Sequence, residues 1–149
     1  MKRRFLACVG AVVMTLMLPV APLPADDRRS IWDGVFTQAQ AMRGAAVYPV
    51  ACGKCHGYQL DGAPDDPDMF STPPIGGSKF LRDWDARSLA ELFEYTRATM
   101  PVNNPGFPSA QEFADILAYM LYRSDVPAGT EEILPDPRML ADIVIARSP

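Results

Sequence analysis

Cys52-Gly53-Lys54-Cys55-His56 is the stretch on which the reading of this chain turns. Two thiols three positions apart, with an imidazole beside the second, admit few chemistries. A closed zinc site takes four Cys or His ligands; beyond the first 25 residues the chain offers only Cys52, Cys55 and His56. A thioredoxin-like redox pair sits near a strand–helix–strand pattern, which the flanking sequence lacks. A disulfide remains open, but it leaves His56, the single histidine of the chain, without a part. Covalent haem attachment employs all three: each thiol forms a thioether at one edge of the macrocycle, and the adjacent histidine donates a ring nitrogen to the iron.

Working outward, the N-terminus resembles an export signal. Lys2, Arg3 and Arg4 precede an uncharged apolar run from Phe5 to Leu18, and Leu23-Pro24-Ala25 offers small residues for cleavage. The alternative is a retained anchor, but the run is short against the roughly 20 residues of a bilayer crossing. Cys8 precedes most of the apolar run, where a lipid-bearing cysteine should follow it, and leaves with the signal. The expected organisation is a signal peptide over residues 1–25 and one domain over 26–149, placed in the periplasm. After cleavage, 11 basic residues face 18 acidic ones, a net charge of −7. That balance argues against nucleic acid and anionic lipid as partners. Hydrophobic residues are 48% and charged residues 21% of the chain, so a packed core is expected; 15 prolines predict helices joined by stiff loops.

Helical spacing predicts three main helices. Thr37-Gln38-Ala39-Gln40 fits a capping box, followed by an apolar face of Ala39, Met42, Ala46 and Val47, with Pro49 expected to kink or stop the helix. Ser88-Leu89-Ala90-Glu91 opens a second helix to about Thr99, with Leu89, Leu92, Phe93 and Thr96 inward. Ser109-Ala110-Gln111-Glu112 opens the third, with Phe113, Ile116, Leu117, Met120 and Leu121 on one face. Asp136-Pro137 suggests a short last helix over 137–143. Residues 57–77 form a long turn-rich loop, and 101–108 a proline-rich connector. No strand and no repeat is evident, and the expected class is all-α. The Asp61–Asp68 cluster matches no calcium-ligand spacing and reads as a solvated turn.

With the attachment stretch in place, residues 37–123 resemble the monohaem class I c-type cytochromes, with a tail over 124–149. Gly44, Tyr48 and Cys52 stand four and four apart, as in that family's first helix, and Ala118-Tyr119 matches the aromatic position that packs against it. The resemblance implies a cytochrome c fold, with three main helices, short helices and long loops around one haem. Pro73-Pro74-Ile75-Gly76-Gly77 resembles the family segment whose proline carbonyl accepts the histidine's second N–H; Pro73 fits the spacing best and Pro74 is the alternative. The sixth iron ligand cannot be a second histidine. Met42 and Met120 lie on the assigned helical faces, Met139 is in the tail, and Met69 lies in the loop on the histidine side. Met100, which ends a helix before Pro101, stands where the family places its axial methionine. Trp84 packs on the haem edge, donates to a propionate, or is plain core.

Ligation by His56 and Met100 leaves no iron position for oxygen, peroxide or substrate, so an outer-sphere electron carrier is expected rather than an enzyme. An uncharged docking patch with Val102 and Phe107 is expected beside it. Ile31-Trp32-Asp33-Gly34-Val35-Phe36 and residues 127–137 resemble cytochromes that accompany pyrroloquinoline-quinone (PQQ) dehydrogenases. That resemblance implies a quinoprotein dehydrogenase as donor, with a terminal oxidase or another cytochrome as acceptor. The alternatives are a haem-bearing subunit of a dehydrogenase complex, and a haem enzyme or gas sensor with a labile methionine.

Overall fold

The computed structural model describes residues 28–66 and 72–147. The expected signal segment and Met69 lie outside the described residues.

Thr37 caps helix α1 (Gln38–Tyr48), its hydroxyl accepting the Gln40 N–H at 3.0 Å. Only half of the expected capping box forms, because the Gln40 amide is used elsewhere. Fully buried, it donates to the Ile133 carbonyl and accepts the Ile133 N–H, each at 2.8 Å. The inner face of α1 differs accordingly from the expected one. Gln40, Ala41, Gly44 and Tyr48 are buried, whereas Ala39, Met42 and Ala46 are exposed and Val47 is half-buried. Close approach and two hydrogen bonds, not apolar content, decide how this helix is turned. A Cβ on Gly44 would stand 2.0 Å from the Asp115 carbonyl oxygen, so the small residue lets α1 cross α5 (Ala110–Tyr122) backbone to backbone. One turn on, Tyr48 meets Tyr119 edge to face, ring centroids 5.4 Å apart.

Pro49 ends the regular α-winding, as expected, but not the helical course. Residues Pro49–Gly53 form a π turn that leads directly into α2 (Lys54–His56). The wider turn suits a proline, which has no N–H for the ordinary ladder. The attachment stretch therefore extends α1.

Helix α3 (Gly77–Asp83) was not expected. It opens on glycines with no side-chain cap, yet buries Phe80 and Leu81. Helices α4 (Leu89–Thr99) and α5 follow the sequence closely, each opened by a complete Ser/Glu capping box, and the expected apolar residues of α5 are buried. Helix α6 (Pro137–Leu140) is capped by Asp136 and is shorter than predicted. The expectation of no strand needs correction: β1 (Arg29–Ser30) pairs in parallel with β2 (Ile143–Val144), Arg29 opposite Ile143. At two residues each, the strands leave the fold all-α.

The tail is a strap rather than an appendage. Ile133, Leu140 and Ile145 belong to the same buried cluster as the helices. The Gly129 N–H donates to Phe36 at 2.7 Å, the Trp32 indole to Ala146 at 3.0 Å, and Ala86 and Ile145 bond in the loop before α4. Arg43 joins α1 to both α5 and the strap, reaching Asp115 at 3.1 Å and Glu132 at 2.7 Å. No helix among the described residues is long and apolar enough to cross a membrane.

Candidate haem attachment site

Cys52 closes the π turn's fourth position and Cys55 sits in α2, so one continuous helical course carries both thiols and His56. Both cysteines are free; Cys52 is half-buried and Cys55 exposed. Burial, with Cys55 nearby, pushes the Cys52 thiol up to about 11, so it stays protonated at neutral pH.

His56 Nδ1 stands 3.0 Å from the Pro73 carbonyl oxygen. A carbonyl only accepts, so this bond requires the proton on Nδ1 and leaves the Nε2 lone pair for a metal. Pro73, not Pro74, is the residue in contact. The chain leaves α2 through Gly57 at φ +75°, where a Cβ would lie 2.3 Å from Asp61 Oδ1 and 2.8 Å from the Ala63 nitrogen. This turn therefore requires glycine. It is fastened from several sides: Leu60 N–H and the Tyr48 hydroxyl donate to Gly57 O at 3.2 and 2.7 Å, Gly62 N–H donates to His56 O at 2.9 Å, and the Thr72 hydroxyl donates to Cys55 O. Sequence reading took Tyr48 as core packing and gave Thr72 no role; nothing in their spacing marks either hydroxyl as a partner of this turn.

Met100 is the half-buried residue that ends α4, in extended conformation, its N–H donating to Thr96 O at 2.8 Å. Trp84, at the end of α3, is half-buried against the core, with the Arg87 guanidinium 4.0 Å from its ring centroid and Tyr95 at 5.7 Å. In the acidic loop Asp61 accepts from Ala63 N–H at 3.0 Å, a local turn bond. Among the described residues no group of three or more His, Cys, Asp or Glu could hold a metal ion.

The donor set fits a covalently attached haem: two free thiols for the macrocycle, and one imidazole whose Nδ1 proton is held by Pro73, so that in the neutral ring Nε2 is the nitrogen with the lone pair. The helical architecture, the glycine-mediated crossing of α1 on α5 and this turn together describe a cytochrome c domain. A family model described as "Cytochrome C oxidase, cbb3-type, subunit III" matches residues 39–120, and the chain belongs to that family. No curated protein and no solved structure matches it significantly. As a cytochrome c domain it is a haem c protein of the electron-transferring kind.

Proposed function

We propose that the chain is a periplasmic single-electron carrier, exported by residues 1–25 as a cleaved signal peptide and attached to one haem through Cys52 and Cys55. His56 and Met100 would be the residues that hold its iron. One observation carries the proposal above the others: the Pro73 carbonyl fixes the His56 ring as a donor on the same turn as two free thiols. A haem bound there supplies a one-electron iron couple. Residues 26–149 supply the rest: His56 donates through Nε2, Pro73 holds its proton, and Met100, at the head of a proline-rich segment, donates a thioether. The segment that follows exposes Val102 (80%) and Phe107 (48%) and carries no charge from 101 to 108, which suits a small apolar contact with a redox partner. A quinoprotein dehydrogenase as donor is supported by the sequence resemblance of residues 31–36 and 127–137. The acceptor would be a terminal oxidase or another cytochrome.

Intact mass of the protein, produced in a host that attaches haem, tests this. The expected value is residues 26–149 plus one haem. A mass without haem refutes the attachment, and a mass that keeps residues 1–25 refutes the cleavage.

A further inference from the structure

Three consecutive carbonyls, of Cys55, His56 and Gly57, emerge at the C-terminal end of α2, where a helix leaves acceptors without internal partners. The middle one takes the Gly62 N–H at 2.9 Å. The two that flank His56 take side-chain hydroxyls from separate parts of the chain, Thr72 on Cys55 O and Tyr48 of α1 on Gly57 O at 2.7 Å. Thr72 directly precedes Pro73, whose carbonyl takes the His56 ring proton, so neighbouring residues of one segment grip backbone and ring together. Neither satisfaction nor packing demands the Tyr48 hydroxyl. Gly57 O already accepts from Leu60 N–H, and a phenylalanine would fill the same core space against Tyr119.

We infer that Tyr48 and Thr72 are positioning residues that hold His56 against Pro73 and so tune the iron's potential, a role that presupposes the haem attachment proposed above. A firm Nδ1–H···O bond makes the imidazole a stronger donor, which favours the oxidised iron and lowers the potential. Removing either hydroxyl loosens the turn, weakens that bond and raises the potential.

The test uses haem-loaded protein carrying Tyr48→Phe, Thr72→Val, both together, or Thr72→Ser. The midpoint potential and the exchange of the His56 Nδ1 proton with water are measured for each. Each hydroxyl deletion should raise the reduced-to-oxidised ratio at fixed applied potential about threefold, about 30 mV given 59 mV per tenfold for one electron. Proton exchange should quicken in parallel, and Thr72→Ser should stay close to the parent. If Thr72→Val yields no haem-loaded protein, Tyr48→Phe decides alone, because it keeps the ring. Haem-loaded variants with unchanged potential and exchange overturn the inference, even where their stability falls. A parent protein whose mass lacks haem overturns the attachment itself, and this inference with it.

Discussion

Pro73 has no N–H and offers His56 only a carbonyl oxygen, so the 3.0 Å contact at Nδ1 decides which ring nitrogen faces outward as a base. Cys52 is prepared in a different way. Burial, with Cys55 nearby, pushes its half-buried thiol up to about 11, which makes it a weak nucleophile at neutral pH. Under the proposed ligation the opposite side of the iron rests on Met100. Its backbone is fastened to Thr96, while its side chain lies half-buried at the end of α4. Met100→Ala should therefore leave the helix in place and open the sixth position. The potential should fall, since a thioether favours reduced iron, and cyanide should bind quickly in rapid mixing. A variant that binds cyanide no faster than the parent would place the ligand elsewhere, with Met69 the next residue to replace.

Between helices, the contact at Gly44 sets the scale. Alanine would gain about 1 kcal/mol of helix propensity over glycine. The added methyl, however, would stand 2.0 Å from a backbone oxygen of α5, which cannot rotate away. Overpacking of that kind costs about 1–3 kcal/mol or more, so the clash wins. Gly44→Ala should lower the urea midpoint of the haem-loaded protein, with net destabilisation of about 1 kcal/mol once the propensity gain is subtracted. An unchanged midpoint would mean that α1 and α5 do not approach as closely as described. The sequence made this crossing legible through the family resemblance that Gly44, Tyr48 and Cys52 carry. The same held for α4 and α5, whose Ser/Glu boxes and apolar stripes agree. It hid the orientation of α1, because a buried glutamine and a glycine line its inner face while Met42 and two alanines face outward. It hid α3 as well, since two glycines and no cap mark its start; the spacing of Phe80, Leu81 and Trp84 was the one available sign. The hydroxyls of Tyr48 and Thr72 were illegible for another reason. Hydrogen bonds to carbonyls far along the chain depend on the folded path, not on local pattern.

Across the whole molecule, the carboxylates that fasten elements share a pH dependence. Glu91 and Glu112 are held below the usual glutamate range by their hydrogen bonds with Ser88 and Ser109, at the heads of α4 and α5. Glu132 is lowered chiefly by the Arg43 guanidinium, and Asp136 by Arg138. Each group has a depressed value in the folded state, so the unfolded chain binds more protons through the mildly acid range. The stabilisation is then complete above the ordinary carboxylate values and lost as pH falls through the lowered ones. Urea midpoints taken from pH 7 down to pH 3 should hold steady and then fall below about pH 5. A midpoint that stays level to pH 3 would show that these contacts add nothing. Arg43 itself is held charged more firmly than usual, first by Glu132 and then by Asp115, so its ion pair from α1 to the strap loosens by protonation of Glu132.

The strap also imposes an order in time. Gln40 completes its amide bonds only with Ile133, 93 positions later, and β1 finds its partner in β2 near the far end of the described chain. A chain that enters its compartment N-terminus first presents Gln40 well before it supplies that partner, whatever the rate of passage. The thiols of Cys52 and Cys55 exist through nearly all of this interval while the contacts that fasten α1 to the strap do not. Chemistry that must reach both sulfurs thus meets an open chain first and a closed one afterwards.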